Sequence, residues 1–116
     1  MGRILVVDDD ADIQEMVQIA LEDEGYEVTV AAHGMAALEI LQQLTPRLIL
    51  LDMRMPVMNG WQFAQAYRER PGEHAPIVLL TAADASTSAR QVGAEGYLAK
   101  PFDLSQLIAT VAKFAA

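Results

Sequence analysis

Apolar positions along the chain alternate between two spacings. Short apolar runs at Arg3 to Val7, Val28 to Ala31, Leu48 to Leu51, Ile77 to Leu80 and Tyr97 to Ala99 are of strand length and too short for helices. The third run, four branched aliphatics ending in Asp52, reads as a strand buried on both faces. Between the runs the spacing becomes helical. Ile13, Met16, Val17, Ala20 and Leu21 recur at i, i+3, i+4, i+7 and i+8, with acids in the first turn and Gly25 past the end. A second helix follows Gly34, faces Ala37, Leu38, Leu41 and Leu44 inward, and is stopped by Pro46. Asn59 caps a third, which carries Phe63 and Tyr67 inward and closes at Pro71-Gly72. Ala82 to Val92, rich in Ala, Ser and Thr, predicts a short fourth helix, and Gly93 to Gly96 a turn. Asp103 caps a last helix with Leu104, Leu107, Ile108, Val111 and Phe114 in one stripe. Five strands alternating with five helices, joined by right-handed crossovers, predict a doubly wound α/β domain with a parallel sheet covered on both faces.

Composition narrows the function classes. The 116 residues make one domain, 1–116, without internal repeat or linker. The longest uncharged apolar stretch, Ala75 to Ala83, falls far short of the roughly 20 residues that cross a bilayer. No membrane span or export signal is expected, and the lack of cysteine excludes disulfides and thiolate chemistry and is compatible with a reducing cytoplasm. A formal charge of −8 argues against nucleic acid as a direct ligand, because phosphate contacts need a basic face. The acids are clustered. Glu22, Asp23, Glu24 and Glu27 read as a solvated helix end and turn, whereas Asp8, Asp9, Asp10 and Asp12 crowd the end of the first strand.

In a sheet of this kind ligands are handled at the carboxyl ends of the strands. Those ends carry Asp8 and Asp9, Asp52, Thr81 and Lys100. Gathered carboxylates repel and call for a cation, and a hard divalent ion facing a phosphate is typical of magnesium. Lys100 and Thr81 then offer a positive charge and a hydrogen bond to a phosphoryl group, with Asp52 as the nucleophile. Each residue also has a plainer reading: Asp8 and Asp9 as helix caps, Thr81 as a β-branched strand residue, Lys100 as a solvated tail. Their joint placement at strand ends favours the chemical reading.

Four motifs carry a resemblance: Val6-Val7-Asp8-Asp9-Asp10, Leu51-Asp52-Met53-Arg54-Met55-Pro56-Val57-Met58-Asn59-Gly60, Leu80-Thr81-Ala82, and Gly93 to Phe102 with Lys100-Pro101. From about Arg3 to its end the chain resembles the receiver domain of bacterial two-component response regulators. The resemblance implies a flavodoxin-like sheet of order 2-1-3-4-5 with five helices, and a cytoplasmic switch that accepts a phosphoryl group on Asp52. The donor it implies is a phosphohistidine of a sensor histidine kinase or histidine phosphotransfer protein. It also implies that Asp9 and Asp52 ligate Mg2+ with the backbone carbonyl of Arg54, with Asp8 acting mainly through water. Lys100 would contact the phosphoryl group, the Thr81 hydroxyl would move towards it, Tyr97 would turn inward, and the bond preceding Pro101 would be cis. The face made by the fourth helix, last strand and last helix would bind an output protein that the sequence does not identify. Such a domain catalyses its own phosphotransfer and slow autodephosphorylation without being a conventional multiple-turnover enzyme.

The chain departs from the family pattern in places. Thr81 to Lys100 is shorter by about three residues, roughly one helical turn, which places the usual dimer in doubt. After Asp103 the last helix has Lys113 as its only charge, unlike receivers of winged-helix transcription factors. Ala83, two residues after Thr81, offers no polar group to orient water, so self-dephosphorylation is expected to be unassisted. No effector domain follows within these residues, which leaves a stand-alone and an excised receiver both open. Two rivals remain. A phosphatase of the haloacid dehalogenase type would use the Asp-x-Asp at Asp8 and Asp10 but needs a further acidic pair and a cap. A receiver-like interaction module that is not phosphorylated would not need the intact Asp9, Asp52, Thr81 and Lys100.

Overall fold

The third apolar run is the middle of the sheet. In the computed structural model, which describes residues 2–53, 55, 58–81, 90 and 93–115, all five residues of β3 (Leu48–Asp52) are buried. Around it stand β1 (Arg3–Val7), β2 (Glu27–Ala31), β4 (Ile77–Thr81) and β5 (Gly96–Ala99). Every pairing is parallel, as the alternation of elements predicts, and the order is β2-β1-β3-β4-β5, as the resemblance implies. Four helices are described: α1 (Ala11–Asp23), α2 (Gly34–Leu41), α3 (Gly60–Glu69) and α4 (Leu104–Phe114). The short helix expected over 82–92 lies, apart from Arg90, outside the described residues.

The period-2 alternation of the strands sorts the core into two layers. Ile49, Leu51 and Met53 pack with Leu5 and Val7 against Ala37 of α2 and Phe63, Ala64 and Tyr67 of α3. Leu48 and Leu50 pack with Ile4 and Val6 against Val17 and Leu21 of α1 and Leu107 and Val111 of α4. Burial of each such large side chain is worth about 1.5–3 kcal/mol, so these layers supply most of the force that sets the strands in register.

Two expectations need correction. The second helix ends at Leu41, and Leu44 lies in the segment beyond it, because the chain tightens into i→i−3 bonds from Gln42 to Glu39 and from Gln43 to Ile40. The Arg70 guanidinium also satisfies the Leu38 carbonyl there, at 3.0 Å, so the last turn has its partner without further helix. Leu104 is 47% exposed rather than part of the inward stripe. It is the first residue of α4, one turn ahead of the buried Leu107.

Helix starts follow the sequence more closely. Asn59 with Gln62 and Asp103 with Gln106 each form a capping box, the first residue accepting from the third helical N–H and the glutamine returning to the cap N–H. Replacing Asp103 by Ala removes one half of such a box and should lower unfolding free energy by about 1 kcal/mol. Urea denaturation should show a lower midpoint at an unchanged slope.

Candidate functional site

Strand register assembles the site. Val7 pairs with Leu51, so the next residues, Asp8 and Asp52, stand level. Asp8 continues the ladder by donating its N–H to the Ala31 carbonyl at 3.1 Å. Asp52 pairs with Leu80 and Thr81 with Ala99, which brings Thr81 and Lys100 to the same edge. Alternation then decides the face. Asp8 follows Ile4 and Val6, Asp52 follows Leu48 and Leu50, and Lys100 follows Leu98, all members of the layer under α1 and α4. The three side chains meet: Lys100 Nζ donates to Asp8 Oδ2 at 3.0 Å and to Asp52 Oδ1 at 3.4 Å.

Thr81 and Tyr97 take the other parity. Thr81 is buried at the end of β4, and its carbonyl accepts the Lys100 N–H at 2.8 Å. Tyr97 lies opposite Leu79, diagonal to Thr81, and is 49% exposed. The Lys100-Pro101 peptide bond is cis. Arg54 and Ala83 lie outside the described residues.

The acidic run divides its labour. Asp10 is the cap of α1, its Oδ1 accepting from the N–H groups of Asp12 at 2.9 Å and Ile13 at 3.4 Å. Asp8 and Asp9 are therefore not needed as caps. Asp8, with no exposed surface, accepts the Asp10 N–H at 2.9 Å on Oδ1 while Lys100 occupies Oδ2. Gln14 reaches back from α1 to donate to the Asp8 carbonyl. Asp9 is exposed, yet Asp8, Asp9 and Asp52 each place a carboxylate oxygen within 4.8 Å of the others.

Two carboxylates on one ammonium, with a third close to both, leave a surplus of negative charge in a half-buried place. Burial by itself would lower the Lys100 pKa, but its hydrogen bond to Asp8 and the charges of Asp8 and Asp52 outweigh this and hold it above the ordinary lysine value. A pKa raised on folding stabilises the fold below the unfolded value, and that stability is lost only as pH rises through the raised one. Across the neutral range Lys100 is a fixed cation. An all-oxygen set of acidic donors is suited to a hard divalent ion, so the residues present fit magnesium.

Gly60 has a role beyond its place in the motif that ends with it. Its N–H donates to the Met53 carbonyl at 3.0 Å, and a Cβ there would stand 2.8 Å from Met53 Cα and 3.0 Å from the Asp52 carbonyl oxygen. Only glycine lets α3 close on the backbone that carries Asp52. A poor helix former directly after a good cap was the available signal.

A match to the response regulator receiver domain spans residues 4–112. The chain belongs to this family. Its members are the phosphorylated components of two-component systems, switched through an aspartyl phosphate. The chain is 41% identical over 112 residues to the DNA-binding response regulator MtrA of Mycobacterium tuberculosis (strain ATCC 25618 / H37Rv), covering 94% of this chain and 48% of that protein. It is 39% identical over 120 residues to the alkaline phosphatase synthesis transcriptional regulatory protein SphR of Synechococcus elongatus, covering 93% of this chain and 46% of the relative. It thus spans about half the length of these curated relatives. Among solved structures, the chemotaxis response regulator CheY4 of Vibrio cholerae superposes with a TM-score of 0.91 at 37% identity over 98% of both chains. No helix among the described residues is long and apolar enough to cross a membrane.

Metal binding to the folded carboxylate cluster should raise stability by about 2.7 kcal/mol at a hundredfold excess over Kd. Thermal melts in millimolar magnesium should therefore move upward, and Asp9→Asn should lose most of that movement. Asp10→Ala should cost about 1 kcal/mol of cap stability yet keep the magnesium response. A variant order reversed in these melts would contradict the division between cap and ligands.

Proposed function

We propose that Asp52 accepts a phosphoryl group from a phosphohistidine on a partner protein, a sensor histidine kinase or a histidine phosphotransfer protein. The observation that carries this is the Lys100 ammonium shared between Asp8 and Asp52, a cation placed beside the nucleophile where the transferring group would arrive. An Asp52 carboxylate oxygen attacks phosphorus, the P–N bond of the donor breaks, and the imidazole leaves with its electron pair and takes up a proton. Asp8, Asp9 and Asp52, with the backbone carbonyl of Arg54, are the residues that would hold Mg2+, which supplies charge neutralisation for the phosphoryl oxygens. Lys100 exchanges a carboxylate for a phosphoryl oxygen without leaving its place.

The same residues connect chemistry to shape. A phosphoryl group brings new charge and acceptor oxygens to donors already waiting at the edge. The Thr81 hydroxyl moves to one of those oxygens, and Tyr97, half exposed on the same face, turns into the space that opens. Tyr97 and Leu104 then mark an altered surface for an output protein, both being large apolar side chains left exposed. The DNA binding named for MtrA would need a basic surface, for which the formal charge of −8 on these 116 residues is unsuited.

A groove of about 390 Å3, lined by Ile13, Met16, Pro101 and Phe102 with Lys100 at its edge, runs from α1 to the turn before α4. Its position beside the acceptor suits an apolar helix face of the donor protein, presenting its histidine to Asp52.

Intact mass after incubation with acetyl phosphate and magnesium tests the acceptor directly. One phosphoryl adduct is expected in the wild type and none in Asp52→Asn. Multiple turnover on a phosphate ester would instead indicate a phosphatase, and no adduct at all an interaction module. With a phosphohistidine protein as donor, Met16→Asp should slow labelling by a larger factor than it does with acetyl phosphate. Equal factors would remove the groove from the docking surface.

A further inference from the structure

Far from the acceptor, at the amino edge of the sheet, the turn that leads into β5 is held from two sides. Arg68, in the last turn of α3, donates through Nη2 to the Gly93 carbonyl at 2.7 Å and lies 3.7 Å from Glu95 Oε1. Glu95 in turn grips Ile77, the first residue of β4, twice. Its N–H donates to the Ile77 carbonyl at 2.9 Å, and its carboxylate accepts the Ile77 N–H at 2.8 Å. Gly93 adopts φ +68°, and a Cβ there would come within 2.6 Å of Arg68 Nη1, so turn and guanidinium are fitted to one another.

In the strand that follows, Leu98 is the one buried residue of four. β5 is an edge strand of four residues, paired with β4 alone. Because side chains alternate, a slip of one residue along β4 would turn all of them to the opposite face. Lys100, directly after β5, would leave the face that Asp8 and Asp52 share. We propose that Arg68 and Glu95 are positioning residues that set the register of β5 on β4 and thereby keep the Lys100 ammonium on the two carboxylates. The proposal rests on the reading of Asp52 and Lys100 given above. With side chains 34% and 48% exposed, the Arg68–Glu95 pair adds little to global stability, and its effect is on placement.

The test compares Arg68→Ala and Glu95→Ala, each alone and in a Lys100→Ala background. One readout is the rate of Asp52 labelling by acetyl phosphate with magnesium, the other is hydrogen exchange at the Lys100 amide, whose N–H bonds to Thr81. Each single variant should label about tenfold more slowly and exchange faster at Lys100, while in the Lys100→Ala background neither should slow the residual labelling further. Equal loss with and without the Lys100 side chain would overturn the proposal, as would wild-type rates and exchange in both single variants. Glu95→Ala removes the side-chain acceptor for Ile77 at a half-exposed position, so it decides the matter should Arg68→Ala fail to fold. A wild type that takes no label would count against the acceptor reading instead. Exchange then judges the clamp alone: unchanged exchange at Lys100 in the variants rejects it.

Discussion

One ammonium group stands between two carboxylates at the carboxyl edge of the sheet, with a third close by, and the rest of the site depends on that placement. Carboxylate oxygens within 4.8 Å of one another repel by on the order of 3 kcal/mol per pair at an effective dielectric of about 20. Lys100 relieves part of this and leaves a local excess of negative charge. The arrangement is held by strand register and by the two hydrophobic layers, so the site cannot relax by moving apart. It answers to a cation or to a group that brings its own partners.

That constraint ties each charge of the site to a different part of the fold. Asp8 is fixed by the N–H of Asp10 and by Gln14 on α1, Asp52 by the close approach of Gly60 at the start of α3, and Lys100 by its bond to Thr81 and by β5. Each charge thus leads into a different element. The least enclosed of these elements is β5, the short edge strand, with Tyr97 half exposed on it.

Much of this was legible in the sequence for a simple reason. Strands buried on both faces leave unmistakable aliphatic runs, and a polar residue ending such a run is forced to the edge, which is how Asp8, Asp52, Thr81 and Lys100 declared themselves. What stayed hidden depends on contacts between distant segments or on local dihedrals. Three successive acids do not say which one caps the helix; the extended backbone of Asp10, at φ −84° and ψ 112°, decides it. Gly60 drew no notice beyond its motif because its demand for space comes from Met53 and Asp52, earlier in the chain. Arg68 and Gly93 are 25 positions apart, and nothing in either marks the other. Leu104 kept the helical spacing without the burial, because amphipathic periodicity does not say at which turn of a helix burial begins.

The most direct measurement of the central claim is a two-dimensional NMR titration of the isotopically labelled chain with magnesium and then with beryllium fluoride, which mimics a phosphoryl group on a carboxylate. The account predicts that magnesium alone shifts resonances around Asp8, Asp9 and Asp52. Beryllium fluoride should then shift Thr81, Tyr97 and Lys100 together, at one common ligand concentration. Shifts that stay confined to the three carboxylates after beryllium fluoride would show a metal site without a switch and would contradict it.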